Sequence, residues 1–186
     1  MKSIVLFLFW PDAVWRHLRA RPQPVGRLLL AIALPFALGI GVAVQLGLTV
    51  FNAHWSPQWG YNPQPLYGDA TAPLAAILSL AAPFALAAVF TWMAPSCGVR
   101  AGFRLCANLA VYGMLPFWLS SLGLFFMADI VLCLAAAAWS CVLFVRGARV
   151  LLQMTLDDSA QFVMGAIMAM GGLFSVLGLG LGSLLA

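Results

Sequence analysis

Apolar runs long enough to cross a bilayer recur from one end of the chain to the other, separated by short polar stretches. A hydrocarbon core of about 30 Å needs about 20 apolar helical residues to cross it. A soluble domain of this size would carry charge on about a quarter of its residues. This chain carries charge on 8% of them, against 64% hydrophobic residues. Its solvent is therefore lipid. The expected fold class is all-α: one polytopic membrane domain over residues 1–186, with five transmembrane helices. The expected spans are 28–51, 73–94, 105–126, 130–145 and 162–185. The fourth is the shortest, and Arg146 and Arg149 extend it by snorkelling toward the headgroups.

The nine cations orient these spans. Lys2, Arg16, Arg19, Arg21 and Arg27 precede the first. Arg100 and Arg104 lie between the second and third, Arg146 and Arg149 between the fourth and fifth. All alternate onto one side, which the positive-inside rule makes cytoplasmic. The N-terminus is expected inside and the C-terminus outside. The net charge of +4 is thus a topological signal, and nucleic acid is not an expected partner.

Residues 1–27 are expected to form a cytoplasmic interfacial segment. A signal peptide places its cations before the apolar core; here four arginines follow it, so cleavage is not expected. Pro11 suits a first helical turn, and Pro22 and Pro24 stop the helix near Ala20 or Arg21. Val14, Trp15 and Leu18 share one face; Asp12, Arg16 and Arg19 share the other. This predicts a short amphipathic helix in the headgroup plane, with Trp15, Arg16 and Arg19 as interfacial anchors. Its role is to anchor the first span or, alternatively, to dock a cytoplasmic partner. Trp55 and Trp59, in the outer loop with Tyr61 and Tyr67, are expected in the opposite aromatic belt.

Inside the spans, Pro35, Pro83 and Pro116 sit in similar settings ("LPFALG", "APFALA", "LPFWLS") and mark helix hinges or kinks. Ser79, four residues before Pro83, is placed to satisfy the carbonyl that this proline leaves without a partner. Gly165, Gly171, Gly172 and Gly178 predict close helix packing in the last span, at the bundle centre or a dimer seam. Asp158 with Gln161 reads as a capping box for that helix, and Asp157 adds charge at its positive end. Gln45, Asn108, Tyr112 and Ser120 are the candidates for a polar pathway or for interhelical contacts. The four cysteines lack metal or redox spacing and are expected to pack as small apolar residues. The sequence holds no HExxH motif, no mid-span aspartate and no histidine within reach of a nucleophile. Neither an enzyme nor a cofactor or metal site is expected.

Three stretches carry a resemblance. They are "WPDAVWRHL" with "RPQPVGR" (Trp10–Arg27), "GFRLCANLAVYGMLPFWLSSLG" (Gly102–Gly123) and "LFVRGARVLLQMTLDDSAQF" (Leu143–Phe162). In order and character they resemble the bacterial branch of the Yip family, the Ypt/Rab-interacting membrane proteins. The resemblance implies a five-helix bundle with a cytoplasmic N-terminus in a bacterial inner membrane, and no catalytic residues. The long N-terminal region that serves Rab binding in eukaryotic relatives is not matched, so that role is not expected. The expected function is a non-enzymatic bundle that organises membrane or holds a partner. Membrane lipids, a second copy of the chain or another membrane protein are its expected contacts. The alternative is a channel or transporter for a small solute or ion, recognisable by a polar cavity lined by Gln45, Asn108, Tyr112 or Ser120.

Overall fold

Prolines bracket the first of the described helices. The computed structural model describes residues 11–54, 71–122 and 129–185. Helix α1, Pro11–Ala20, starts on Pro11 and ends two residues before Pro22. The chain then turns through Pro24, in extended conformation, into α2 (Val25–Leu28). A π turn at Leu29–Ala33 follows, and then α3, Leu34–His54. Pro35 accounts for the π turn. Its ring crowds the carbonyl one turn back, and widening the turn makes room: Leu34 N–H reaches the carbonyl of Leu29, five residues away. Pro35 therefore perturbs this span without breaking it.

Helix α4, Thr71–Met93, holds Pro83 within its length and runs on into a 3₁₀ turn, Ala94–Cys97. Gly98 closes it at φ +71°, the left-handed conformation that glycine adopts without strain. Pro116 has the opposite effect to Pro35. The third segment is broken at Met114 into α5 (Phe103–Gly113) and α6 (Leu115–Leu122). Helix α7, Asp129–Leu151, has 23 residues, so the fourth segment runs on beyond 145 toward Leu152, the longer of the two extents the sequence allows. It extends past Arg146 and Arg149, and Gln153 ends the turn at φ +60°. Helix α8, Leu156–Leu185, begins six residues before the expected 162. The expected Asp158–Gln161 cap is corrected to one residue set earlier. Thr155 Oγ1 accepts from the Asp158 N–H at 3.2 Å and donates to the Asp158 carboxylate at 2.6 Å. Asp157 and Asp158 lie in the first turn, where the helix dipole favours their charge.

Three stretches of the described residues are long and apolar enough to cross a membrane: Val25–Gly47, Thr71–Cys97 and Leu134–Leu151. The outer surface suits lipid. Trp92 is 77% exposed and Met168 73%, positions that water would penalise. The interior is tied by aromatic pairs. Phe90 of α4 stacks on Phe162 of α8 at 5.0 Å and meets Phe144 of α7 edge-on at 5.8 Å. Phe36 of α3 stacks on Trp118 of α6 at 5.4 Å.

Small residues create close helix contacts, and among the described residues most of these lie outside the last span. A Cβ at Gly41 would lie 3.0 Å from the Ala76 Cβ, bringing α3 against α4. A Cβ at Gly113 would strike the Phe144 ring, and one at Gly147 would lie 2.5 Å from Leu109 and 2.9 Å from the Trp15 indole. Among the described glycines of α8, only Gly165 has such a neighbour, Met93 Cε at 2.7 Å. The expected central packing of Gly171 and Gly172 is corrected, because both are exposed and a Cβ at either meets nothing within 4 Å. Gly178 lies in the part of α8 whose surroundings are outside the description, and Trp55 and Trp59 lie outside the described residues.

Candidate functional site: an arginine-rich cap on one end of the bundle

The amphipathic pattern of α1 puts Pro11, Trp15 and Leu18 on one buried face and Asp12, Arg16 and Arg19 on an exposed one. The apolar face does not lie in lipid. Trp15 is completely buried, with its indole against Gly147 of α7 and edge-on to Tyr112 of α5 at 6.3 Å. The expectation of Trp15 as an interfacial anchor is therefore corrected. It is a core side chain that seats α1 on the protein, and the lack of a side chain at Gly147 makes the room. Arg16 and Arg19 remain exposed, and Arg19 reaches the Val150 carbonyl near the end of α7 at 3.5 Å.

The segment after α1 is held by a second device. Asn108, fully buried on α5, pairs with the backbone of Gln23 in both directions. Its Oδ1 accepts from the Gln23 N–H at 3.1 Å, and its Nδ2 donates to the Gln23 carbonyl at 3.0 Å. The same Nδ2 donates to the Arg104 carbonyl at 2.8 Å. Arg104 adds bonds from Nε to the Gln23 carbonyl at 3.2 Å and from Nη2 to the Pro22 carbonyl. Pro22 and Pro24 cannot donate, so Gln23 carries the only backbone N–H between Arg21 and Val25, and Asn108 takes it. Replacing Asn108 with leucine keeps the volume but leaves the half-buried Gln23 N–H without its acceptor, while the Gln23 carbonyl keeps only Arg104. The expected loss is about 1–3 kcal/mol, read as a lowered thermal midpoint of the purified protein in detergent. An unchanged midpoint would show that the clamp contributes nothing.

These contacts gather the cations at one end of the bundle. Asp12, Arg146 and Arg149 line one cavity of about 390 Å³ with Val150 and Met154. Arg100 lines another of about 380 Å³ between the Gly98–Val99 turn and Leu151–Gln153. Both left-handed turns, at Gly98 and Gln153, border that second cavity. Arg16, Arg19, Arg21, Arg27, Arg100, Arg104, Arg146 and Arg149 are all exposed. The shared face thus presents guanidinium groups to whatever lies beyond it.

The four candidate pathway residues are not brought together. Asn108 and Tyr112 sit one turn apart on α5, committed to Gln23 and packed beside Trp15 respectively. Ser120 lies twelve residues beyond Asn108, about 18 Å by helical rise, and donates to the Phe117 carbonyl of its own helix at 2.8 Å. Gln45 is exposed on the outside of α3. Among the described residues no group of three or more His, Cys, Asp or Glu is placed to hold a metal, and Cys97, Cys106 and Cys141 are free thiols. Sequence reasoning missed the docking role of Gln23 and the packing role of Gly113 and Gly147. The proline pair around Gln23 was the available signal for the first; single glycines give none for the second.

No curated protein and no solved structure matches the chain. The family profile of the Yip1 domain matches residues 5–179, which takes in nearly every element described above. An apolar helical bundle with membrane-crossing helices is what that domain requires, and the chain belongs to the Yip1 domain family of polytopic, generally non-enzymatic membrane proteins.

Proposed function

We propose that this protein is a non-enzymatic, membrane-organising bundle of five spans in a bacterial inner membrane. Its arginine-rich end sits on the cytoplasmic leaflet, and its C-terminus is periplasmic. The observation that carries this reading is the latched α1. Trp15 and the Asn108–Gln23 clamp hold α1 against the end of α7, where Arg19 reaches the Val150 carbonyl and Arg146 and Arg149 line a cavity with Asp12. Each arginine near an anionic surface contributes about 1 kcal/mol, so a rigid cluster gathers acidic headgroups beneath it. The dispersal of Gln45, Asn108, Tyr112 and Ser120 supports this reading over a solute pathway.

The test reconstitutes the full chain into phosphatidylcholine vesicles containing labelled phosphatidylglycerol. Energy transfer from the protein to the labelled lipid should exceed that expected for random mixing. Arg16, Arg19, Arg146 and Arg149, each changed to glutamine, should abolish the excess without lowering the thermal midpoint. Random mixing around the wild-type protein would sink the reading. The topology has its own check: a reporter after Leu152 should score cytoplasmic and one after Ala186 periplasmic. Both on one side would exclude five spans.

A further inference from the structure

Unpaired polar groups occur at two levels. Inside the bundle, Trp118 Nε1 and Ser79 Oγ are enclosed without partners, and the expectation that this hydroxyl serves the Pro83 kink is corrected. In the arginine-rich cap the unpaired groups are open. Asp12 of α1 and Arg146 and Arg149 of α7 line the cavity of about 390 Å³ with Val150 and Met154. All three charged side chains are exposed, and none makes a hydrogen bond or ion pair among the described residues. Each charge suits its own helix end: Asp12 lies in the first turn of α1 and Arg149 in the last turn of α7. That does not account for their opening onto one cavity without pairing. Arg146 and Arg149 are three residues apart and adjacent on one helix face, so one anion can lie against both guanidinium groups. The carboxylate comes from a different helix, brought there by the seating of Trp15.

The same face of α7 continues into the membrane as apolar surface. Trp139 and Val142 lie seven and four residues before Arg146, the spacing of one helical stripe. Both are exposed to lipid. Arg146 and Arg149 are five and two residues inside the end of the membrane-length stretch Leu134–Leu151. By helical rise that is about 8 Å and about 3 Å, at the edge of the hydrocarbon core where the headgroups begin. An occupant thus needs an anion for the guanidinium groups, a cation with N–H donors for the carboxylate, and an apolar part for the stripe. We propose that the cavity binds the headgroup of a phospholipid carrying a primary amine, phosphatidylethanolamine. Its phosphate accepts from Arg146 and Arg149, its ammonium donates to Asp12, and an acyl chain runs along Val142 and Trp139. A purely acidic headgroup satisfies the arginines but sets its charge against Asp12. A choline headgroup carries the positive charge without an N–H to donate. The volume, at the small end of ligand pockets, suits a headgroup without its tails. This inference rests on the arginine-rich end lying in a headgroup layer, as proposed above, and adds one selective site to the general attraction of acidic lipid.

The full chain in detergent micelles receives dioleoyl phosphatidylethanolamine, phosphatidylglycerol and phosphatidylcholine in equal amounts, and native mass spectra count what stays bound. One phosphatidylethanolamine should be retained ahead of the other two. Asp12→Asn should cut its preference over phosphatidylglycerol about fivefold with the thermal midpoint unchanged, and Asp12→Glu should keep the preference. Arg146→Gln combined with Arg149→Gln should weaken retention of both lipids. Trp15→Ala, which lets Asp12 swing away and leaves both arginines in place, should lose the preference as Asp12→Asn does. Soluble phosphoethanolamine, with the same charges and no tails, should not displace the lipid at equal concentration. Displacement would assign the cavity to a water-soluble ligand and overturn the lipid. Equal retention of the three lipids, or an unchanged preference in Asp12→Asn, would also overturn the proposal. In the vesicle test described above, Asp12→Asn should keep the phosphatidylglycerol excess, so the selective site and the general attraction fail separately.

Discussion

Trp15→Ala is expected to release the N-terminal helix while the bundle stays folded. Truncating a fully buried tryptophan costs about 3–5 kcal/mol. Trp15 has no exposed surface, so the whole side chain is lost from packing. The cost falls on docking, because α1 is joined to the bundle through a short segment and can swing away without disturbing the Phe90, Phe144 and Phe162 cluster. At about 1.4 kcal/mol per factor of ten, the undocked population rises a hundredfold or more. Trypsin reads this directly, because Arg16 and Arg19 lie within α1. Cleavage that tracks the open population should accelerate at these sites by a similar factor. Cleavage at Arg100, in the loop between α4 and α5, should not change. Unaltered cleavage after Arg16 would mean that α1 does not depend on this tryptophan.

The second large effect is expected at Gly147. A Cβ there already stands 2.5 Å from Leu109 Cδ1 and 2.9 Å from the Trp15 ring. Leu109 can turn its methyl aside; the indole, rigid and enclosed, cannot. Gly147→Leu must therefore push α1 outward. Overpacking costs about 1–3 kcal/mol and occasionally more, while removing a helical glycine returns about 1 kcal/mol. The branched end of leucine extends past Cβ into the indole, so the loss prevails and the thermal midpoint falls. At Gly171 a Cβ would meet nothing within 4 Å, so the propensity gain should outweigh any crowding and the midpoint should hold or rise. A fall at Gly171 as large as that at Gly147 would place this stretch of α8 in a contact with a second chain.

The two glycines show what sequence can and cannot tell. Six glycines in one span attract notice, but a glycine on a helix reports only that close approach is permitted. Whether a neighbour takes the opening depends on the rotation of that helix in the bundle, which composition does not encode. The same limit applies to Trp15. Periodicity identified the apolar face of α1 and prolines fixed its bounds. An apolar face is equally content against lipid or protein, so the pattern could not say which. The start of α8 was misplaced because the apolar run begins at Phe162, whereas the cap residue Thr155 lies seven positions earlier, before a polar first turn. Proline chemistry was legible as perturbation but not as outcome. Pro35 widens a turn, Pro83 stays within a continuous helix and Pro116 sits beside a break, because local neighbours decide where the lost bond is absorbed.

The seating of α1 also sets an order of events during synthesis. Trp15 and Gln23 are made long before their partners Asn108, Tyr112 and Gly147. Between Trp15 and Gly147 the ribosome adds 132 residues, which at about 5–20 residues per second takes roughly 7–26 s. Through that interval the first helix has its apolar face uncovered and its arginines free. The membrane surface is the only nearby phase that can hold both. The nascent chain is thus expected to rest α1 on lipid and to exchange that contact for protein once α7 arrives. A ribosome stalled before Gly147 emerges should leave α1 open to lipid-phase crosslinking from Trp15. A stall well beyond Leu151 should abolish that crosslink.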